Sequence, residues 1–466
     1  MKIKPVKIVA TIGPATHSYE KILQLAQTGV DVFRFTLAHP TAEEVAERVR
    51  WIRQIEKEIN RPLAIMGDLS GPKIRISNVK PDTVLQKGQK FIFSKKIQTG
   101  DENGCGINQP SILDILKPEA EIFIDDGTLK FVVDKKIPDG VETTVLVGGL
   151  LKPRKGFNAE GISLKAQGVS EKDKESIKLM VEHKTDALAV SFVQSAQDIK
   201  NVRDLLPADS RIMLIAKIET ANGVEKAEEI MEEADGMMVA RGDLGLSIPI
   251  AKVPLLQKHL IDLCVRNAKP VITATQMLES MVSKPIPTRA EVADVANAIL
   301  DRTDAIMLSA ETAEGKFPVD AVETMVKIIH EVVGSVAVYE YKERKTISNA
   351  ITDSVGAIGD LISGKLIIAF TESGRTARRI SRHRHQLPIL AVSPSEATIR
   401  RLNFSWGVHP QKVEDIKTFE EMLSLARNLA KNNSVEPLAE GDKYVISAGM
   451  PFGETGTTNM ILVQKV

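Results

Sequence analysis

The chain has 466 residues, of which 61 are basic and 61 acidic, so the formal net charge is zero. A chain without positive excess is a poor candidate for general nucleic-acid binding, and we expect no nucleic-acid partner. No apolar run approaches the roughly 20 residues that span a bilayer, so we also expect no membrane contact. Two cysteines, Cys105 and Cys264, are too few for a disulfide framework, which favours a cytoplasmic location.

Eight short apolar runs recur along the chain, and a segment with helical period follows each of them. The runs cover residues 6–12, 30–37, 63–69, 187–193, 212–218, 236–240, 270–275 and 305–309. The helical segments cover residues 18–27, 43–58, 171–183, 196–206, 223–233, 255–268, 288–301 and 318–335. Near-continuous apolar runs are typical of strands buried on both faces of a parallel sheet. This alternation predicts an α/β fold with a (β/α)8 TIM barrel, with an open doubly wound sheet as the alternative.

Two regions depart from the alternation. Between the third and fourth strands lie strand-like pieces at 90–93, 121–124, 129–133 and 143–147, separated by turn residues. They predict an inserted, β-barrel-like lid domain. Beyond residue 335, strand patterns at 365–370, 389–392, 443–447 and 460–466 predict a C-terminal open α/β regulatory domain. The predicted boundaries are 1–72 and 167–334 for the barrel, 73–166 for the lid and 335–466 for the C-terminal domain.

Polar side chains follow the predicted strands where each strand ends. Functional residues of such barrels lie at the C-terminal ends of the strands. Those ends carry Arg34, His39, Asp68, Ser191, Lys217, Glu219, Arg241, Asp243, Thr275 and Glu311. We therefore expect the chemistry of the protein to lie at this rim.

The fifth and sixth strands predict a metal site. Lys217 and Glu219 are two residues apart and point to the same side of a strand. Glu219 and Asp243 then offer two carboxylates on neighbouring strands, a donor set that suits Mg²⁺. Gly242 lets the backbone approach a ligand closely. The alternative is that Lys217 and Glu219 form a buried ion pair that braces the barrel mouth.

Fixed positive charge lies at the same rim. Arg34, Arg75 and Lys217 beside a metal are the equipment of phosphoryl transfer, in which positioning and charge stabilisation dominate. Thr275 adds a neutral hydroxyl near the centre, with a strand threonine bonded to backbone as the alternative.

The chain resembles pyruvate kinase over nearly its whole length. The matching segments are KIVATIGP at 7–14, DLSGPKIR at 68–75, KGFN at 155–158, SEKD at 170–173, IETANGV at 218–224, ARGDLG at 240–245, TATQMLESM at 273–281, RAEV at 289–292 and MLSAET at 307–312. The ARGDLG and TATQMLESM segments are highly specific. The resemblance implies transfer of phosphate from phosphoenolpyruvate to ADP in glycolysis, giving pyruvate and ATP. It also implies Mg²⁺ (or Mn²⁺) as cofactor, a lid that closes to exclude water and a homotetramer.

The resemblance also implies roles for individual residues. Lys217 corresponds to the group that stabilises the phosphoryl in flight, and Arg34 to a phosphate-binding arginine. The remaining roles are metal ligands at Glu219 and Asp243, substrate contacts at Gly242, Asp243 and Thr275, and nucleotide contacts at His39, Arg75 and Lys155. Thr275 corresponds to a residue near the enolate carbon that is protonated.

The potassium site of the family is altered here. Many members hold K⁺ with Asn and Ser in an Asn-Phe-Ser-His segment, where this chain has Thr36-Leu37-Ala38-His39. Ala38 offers no side-chain oxygen. K⁺-dependent members of the family have a Glu at the position of Lys73. The ammonium of Lys73 is a compact positive charge, so it can replace the cation. We therefore expect activity without K⁺; the alternative is a solvated hinge lysine.

A loop in the C-terminal part predicts an effector site. Its hydroxyls, glycine and free N–H groups resemble the family's sugar-phosphate cradle, in the residues Thr371, Ser373, Gly374, Arg375 and Thr376. The Gly- and Thr-rich segment 449–459 is expected to face it. The negative charge of Glu372 argues against a highly charged bisphosphate, although Arg375, Arg378 and Arg379 offset it. We therefore expect at most a monophosphorylated effector. An ordinary strand–helix cap is the alternative.

Two other functions are the alternatives to a kinase. Another enolate-forming Mg²⁺ barrel enzyme, an aldolase or lyase, needs no nucleotide, so Arg75, Lys155 and a lid argue against it. A catalytically silent metabolite sensor is disfavoured by an intact rim.

Arg302 and Ala310 stand where the family usually has glycine, and Arg302 is strained if its φ is positive.

Overall fold

The computed structural model describes residues 4–38, 40–71, 73–125, 127–159, 168–339, 346–451 and 456–466. The chain begins with alternating strands and helices: β1 (Lys7–Ile12), α1 (Tyr19–Thr28), β2 (Val32–Thr36), α2 (Ala42–Glu58) and β3 (Ala64–Asp68). Every residue of β1 and β3 is buried, as expected for strands covered on both faces. Helix α2 starts at a capping box, in which Thr41 and Glu44 satisfy each other's backbone N–H groups.

An all-β insertion follows β3. Its strands are β4 (Asn78–Val79), β5 (Val84–Leu85), β6 (Lys90–Ser94), β7 (Thr99–Gly100), β8 (Gly104–Cys105), β9 (Glu121–Ile124), β10 (Leu129–Ile137), β11 (Gly140–Val147), β12 (Gly149–Leu150) and β13 (Phe157–Ala159). Six of them form a sheet in the order β13-β9-β10-β11-β6-β8, and the other four form two-stranded pairs. The rings of Phe91, Phe93, Phe131 and Phe157 pack at 5.2–5.4 Å in its core. The four predicted strands are confirmed as β6, β9, β10 and β11.

The chain then returns to the barrel. The elements are α3 (Glu171–Glu182), β14 (Ala187–Val190), α4 (Ala196–Arg203), β15 (Met213–Ile218), α5 (Ala221–Glu225), α6 (Ala227–Glu233), β16 (Gly236–Ala240), α7 (Arg241–Ser247), α8 (Val253–Arg266), β17 (Val271–Ala274), α9 (Arg289–Leu300), β18 (Ala305–Leu308), α10 (Ala310–Ala313) and α11 (Pro318–Val332). Eight strands close in the order β1-β18-β17-β16-β15-β14-β3-β2, and their neighbours are parallel. The predicted TIM barrel is confirmed.

The helices of the barrel differ from the prediction in three places. The segment predicted as one helix over 223–233 is two helices, α5 and α6, that meet at Lys226. The short helices α7 and α10 were not predicted, because each begins where a strand ends and has at most seven residues. Both lie at the C-terminal rim of the barrel.

The C-terminal part is an open α/β layer. Its elements are α12 (Ile347–Leu361), β19 (Leu366–Phe370), α13 (Arg375–Ser381), β20 (Ile389–Ser393), α14 (Glu396–Arg401), β21 (Val408–Lys412), α15 (Phe419–Asn432), β22 (Lys443–Gly449) and β23 (Thr458–Lys465). The sheet order is β21-β20-β19-β22-β23, with β23 antiparallel to β22. Strand β21 was missed because Pro410 interrupts its pattern; it is an edge strand, where proline is tolerated.

Buried polar contacts join the barrel to this layer. Arg384 is buried; its guanidinium lies 5.1 Å from the Trp406 ring and 2.9 Å from a carboxylate oxygen of Asp304. It also donates to the carbonyl of Arg302 at 2.9 Å. Arg302 has a φ of 75°, so this non-glycine residue does occupy the left-handed region, whereas Ala310 simply begins α10. Among the helices described here, none is long and apolar enough to cross a membrane.

Candidate active site

The C-terminal rim of the barrel carries a buried chain of charges. The guanidinium of Arg34 on β2 donates to a carboxylate oxygen of Asp68 at 2.7 Å and to the hydroxyl of Thr11 at 2.8 Å. The other Asp68 oxygen lies 3.2 Å from the ammonium of Lys217 on β15. Burial alone would raise the pKa of Asp68, but the cations of Arg34 and Lys217 outweigh it and lower that pKa. Asp68 is therefore a permanent anion that orients two cations.

Lys217 also contacts Glu219, as the sequence predicts. Its ammonium lies 3.0 Å from a Glu219 oxygen and donates to the Ser191 hydroxyl at 2.7 Å. Burial would lower the pKa of Lys217, but Asp68 and Glu219 together raise it above its ordinary value. The lysine is consequently charged throughout the physiological pH range.

Glu219 is buried and faces a second carboxylate. Its free oxygen accepts a hydrogen bond of 2.6 Å from the backbone N–H of Phe192. Burial raises the pKa of Glu219, and the negative charge of Asp243 raises it further, although Lys217 opposes both effects. A divalent cation between the two carboxylates would remove this repulsion.

The residues present fit a magnesium ion. Asp243 lies in the first turn of α7, directly after β16, and β16 neighbours β15, which leads to Glu219. Carboxylate oxygens with open positions are what Mg²⁺ prefers, since it keeps waters and takes substrate oxygens. In the portion of the chain described, no group of three or more His, Cys, Asp or Glu side chains converges on one point. A site that surrounds the ion with protein ligands is therefore not found there.

Thr275 lies outside its strand and beside α7. Its φ is 71°, and its hydroxyl oxygen accepts a hydrogen bond of 2.9 Å from the N–H of Gly242. The Thr275 carbonyl accepts a bond of 2.7 Å from Arg241, whose guanidinium also contacts Asp294 at 2.7 Å. Arg241 thus fixes the strained turn that presents Thr275. The hydroxyl bonds to the first turn of α7 rather than to its own strand.

Lys73 is the first described residue of the insertion after the predicted hinge, whose Pro72 lies outside the described residues. Its ammonium is 3.9 Å from a carboxylate oxygen of Asp243 and is about one-third exposed (30%). A Cβ at Gly156 would lie 3.2 Å from its Cε, so the lid backbone packs against the lysine stem. Lys73 therefore brings a positive charge from the insertion to the barrel rim.

Of the three predicted nucleotide contacts, two lie in the insertion. Arg75 donates to the carbonyl of Arg154 at 3.0 Å, and Lys155 pairs with Asp125 at 2.8 Å. Arg75 also pairs by a β-bridge with Gly156, so the backbone segments that carry the two cations are adjacent. His39 lies outside the described residues.

The predicted effector loop borders a cavity of about 710 Å³ with its open mouth. The lining includes Thr371, Glu372, Ser373, Arg375, Thr376, Arg379, Glu414, Asp415, Gly449, Gly456, Thr457 and Thr458. Gly374 has a φ of 84° and donates its N–H to the Thr371 hydroxyl at 3.0 Å. The hydroxyls of Thr376 and Thr458 lie 2.7 Å apart, so segment 449–459 does face the loop where it is described. Arg378, which the sequence analysis grouped with this loop, does not line the cavity.

Sequence reasoning did not assign roles to three residues of the rim. Asp68 links Arg34 to Lys217, Ser191 accepts from Lys217, and Arg241 holds the Thr275 turn. All three follow barrel strands, which was the available signal. Their partners are set by the closure of the barrel rather than by local spacing.

Comparisons with known proteins agree with this geometry. A family model described as the pyruvate kinase barrel domain matches residues 3–322, and one described as the pyruvate kinase alpha/beta domain matches residues 349–464. The chain is 41% identical over 474 residues to a pyruvate kinase of Geobacillus stearothermophilus, covering 99% of this chain and 80% of the relative. It is 40% identical over 468 residues to the pyruvate kinase of Methylorubrum extorquens, covering 99% and 97%. The chain therefore belongs to the pyruvate kinase family of phosphotransferases.

Proposed function

We propose that this protein transfers a phosphoryl group from phosphoenolpyruvate to ADP, giving pyruvate and ATP in glycolysis. The observation that carries the proposal is the charge chain at the barrel rim, in which Lys217 contacts Glu219 at 3.0 Å and Asp68 at 3.2 Å. Phosphoryl transfer needs fixed positive charge where negative charge develops, held so that nothing reorganises during the reaction. Buried partners on two sides hold Lys217 in that way.

Glu219 and Asp243 are the proposed ligands of Mg²⁺ (or Mn²⁺). When bound, the ion would neutralise substrate oxygens and orient the phosphoryl group. Arg34 binds the phosphate of phosphoenolpyruvate, and Asp68 orients the Arg34 guanidinium from behind. Lys217 stabilises the phosphoryl group between donor and acceptor. Gly242, Asp243 and Thr275 contact the substrate, with Thr275 beside the carbon that receives a proton.

The insertion is the proposed nucleotide lid. Arg75 and Lys155, with His39 from the barrel, contact ADP, and Asp125 releases Lys155 when the nucleotide arrives. Closure of the lid over the rim would exclude water, which otherwise competes with ADP for the phosphoryl group. The 3.9 Å contact of Lys73 with Asp243 supports such an approach of lid and rim.

Lys73 is proposed to replace K⁺. The chain has Ala38 where many relatives have a serine ligand, and the Lys73 ammonium supplies a monovalent positive charge close to Asp243. A lysine ammonium is a compact point charge, so it resembles a monovalent ion more closely than a guanidinium does.

We further propose that the chain divides into four parts at residues 72, 166 and 334, and that the protein is a cytoplasmic homotetramer. Its C-terminal loop is proposed to bind at most a monophosphorylated effector, through Thr371, Ser373, Gly374, Arg375 and Thr376. Ile250 and Leu255 support an oligomer, because they are 77% and 70% exposed in the single chain. Flat kinetics across sugar phosphates and nucleoside monophosphates would contradict the effector.

The test is pyruvate formation from phosphoenolpyruvate and ADP with Mg²⁺, in wild type and in Glu219→Gln. Wild type should turn over and lose activity with a chelator, whereas Glu219→Gln should need far more Mg²⁺. Saturable ADP binding separates this reaction from that of an aldolase or lyase. Ligand binding without any turnover would instead indicate a metabolite sensor.

A further inference from the structure

A second, smaller cavity lies at the opposite end of the barrel, where the barrel meets the C-terminal layer. We call it the junction cleft. Its lining includes Lys269, Asp304, Arg378, Arg384 and Ser405, and its empty space is about 190 Å³ with its open mouth. Lys269 precedes β17 and Asp304 precedes β18, so this is the N-terminal face of the barrel. The cleft is therefore separate from the candidate active site and from the larger effector cavity.

Most cations of the junction cleft already have partners. Arg384 pairs with Asp304 at 2.9 Å, which cancels one positive charge. The Lys269 ammonium donates to the carbonyls of Met231 and Ala234 at 2.5 and 2.6 Å, which satisfies its N–H groups but leaves its charge in place. The carboxylate of Asp304 is thus already paired with Arg384, and the cleft keeps an excess of positive charge.

Arg378 differs from its neighbours. It lies on α13, and among the described residues its guanidinium has no hydrogen bond and no ion pair. Its nearby charges are mostly alike: burial and the positive charge of Arg401 together lower the pKa of Arg378 to about 10, although Asp235 opposes this. The side chain still carries its charge at neutral pH. Arg378 is half-buried, and its five N–H donors have no acceptor within the part of the chain described, so they are available to a ligand.

Ser405 provides a second unsatisfied group in the same cleft. Ser405 is 2% exposed, and its hydroxyl has no hydrogen-bond partner among the residues that the structure describes. A buried hydroxyl without a partner costs free energy. Both groups border one cavity, so a single acceptor-rich ligand could satisfy them together.

We propose that the junction cleft binds one inorganic oxyanion of the size of phosphate or sulfate, held by Arg378 and Ser405. Phosphate oxygens accept hydrogen bonds from a guanidinium and a hydroxyl and balance the excess charge of the cleft. The cavity has about a quarter of the volume of the effector cavity, which favours a bare ion over a sugar phosphate. Because Arg378 and Ser405 come from the C-terminal layer and Lys269 from the barrel, the bound ion would tie the two together.

The test compares phosphate with chloride in the full-length protein. Thermal unfolding is measured with about 10 mM phosphate against chloride at matched ionic strength, a concentration at which general salting effects contribute little. Wild type should gain about 2 °C in Tm from phosphate. Arg378→Gln should lose this gain, whereas Arg427→Gln, which removes an exposed arginine on α15, should keep it. Arg375→Gln alters the effector cavity and should also keep a gain.

Ser405→Ala and a selenate-grown crystal complete the test. Ser405→Ala should shrink the phosphate effect without lowering Tm in chloride, because the hydroxyl has no protein partner to lose. Selenate has the shape and charge of sulfate, and its anomalous signal should lie between Arg378 and Ser405. An equal phosphate effect in all variants, a loss in Arg375→Gln alone, or no selenate peak in the cleft would overturn the proposal.

Discussion

The ammonium of Lys217 lies 3.0 Å from a carboxylate oxygen of Glu219, two residues further along the chain. The same ammonium reaches Asp68 on another strand at 3.2 Å. Two carboxylates thus hold one lysine in place from different directions. This preorganised charge is the part of the rim on which the proposed phosphoryl transfer depends most.

Replacing Lys217 removes that charge. Lys217→Met should lower kcat for pyruvate formation by about a thousandfold, the scale on which a group that stabilises developing charge acts. KM for phosphoenolpyruvate should change much less, because Arg34, the proposed phosphate ligand, is retained. Lys226→Met, at the exposed junction of α5 and α6, should retain wild-type turnover. If the methionine variant fails to fold, Lys217→Arg keeps the charge but not its position; undiminished kcat in Lys217→Arg would argue against a positioned point charge.

The contact between Thr275 and Gly242 predicts a difference between two substitutions. Thr275→Val removes the oxygen that accepts the Gly242 N–H at 2.9 Å, which should cost about 1 kcal/mol of unfolding free energy. It should also lower kcat by about tenfold or more. Thr275→Ser keeps the oxygen and should stay within about threefold of wild type by the same reasoning. Chemical unfolding and steady-state kinetics of both variants measure this, and equal losses would show that the hydroxyl is not the relevant group.

The left-handed backbone of Arg302 can be separated from its side-chain contacts. The guanidinium donates to the Ala337 carbonyl at 3.2 Å and lies 5.4 Å from the Tyr339 ring. Arg302→Ala and Arg302→Gly both lose these contacts, but only glycine relieves the φ of 75°. The glycine variant should therefore be about 1 kcal/mol more stable than the alanine variant in urea unfolding. Equal stability would mean that the backbone relaxes when the arginine is removed.

His409 predicts a loss of stability at acidic pH. Burial lowers the pKa of His409 well below its ordinary value, and the nearby Lys7 lowers it further. Below about pH 6.5 the unfolded chain binds a proton that the native protein refuses, so stability falls as pH falls. The slope contributed by one such histidine approaches about 1.4 kcal/mol per pH unit.

The measurement is the free energy of unfolding in urea from about pH 7.5 to 5.5, the range that brackets the ordinary histidine pKa. His409→Gln should flatten the dependence. His17→Gln, at an exposed histidine, should leave it unchanged. An unaltered slope in His409→Gln would mean that the buried ring is protonated in the native protein.

The barrel could be predicted because its strands are covered on both faces. A strand such as β16, from Gly236 to Ala240, is apolar at every position after the glycine, so its pattern is visible without its neighbours. The edge strand β21 mixes His409, Pro410 and Lys412, and only its pairing with β20 makes it a strand. Short strands of the insertion, two residues long, offer no period to detect.

The sequence predicts which residues lie at the rim, but not which of them contact one another. Strand ends identify Lys217 and Glu219 because both belong to one strand and its continuation. The bond between Arg34 and Asp68 joins residues 34 apart, and that between Lys217 and Asp68 joins residues 149 apart. Such distances along the sequence are closed only by the circular order of the barrel. Likewise, Arg375 lines the effector cavity and Arg378 lines the junction cleft, because α13 lies between the two cavities.

The measurement that tests the central claim most directly is pyruvate formation with Mg²⁺, in K⁺-free buffer and with K⁺ added. It compares wild type with Lys73→Ala and with Lys80→Ala, a lid lysine paired with Asp101 at 2.9 Å. Wild type and Lys80→Ala should each form pyruvate at the same rate in both buffers. Lys73→Ala should be slower by about tenfold or more without K⁺, because it lacks a charge interaction at the rim. Wild-type turnover only with K⁺, or full activity of Lys73→Ala without it, would contradict the replacement of K⁺ by Lys73. Absence of turnover in either buffer would contradict the proposed phosphoryl transfer itself.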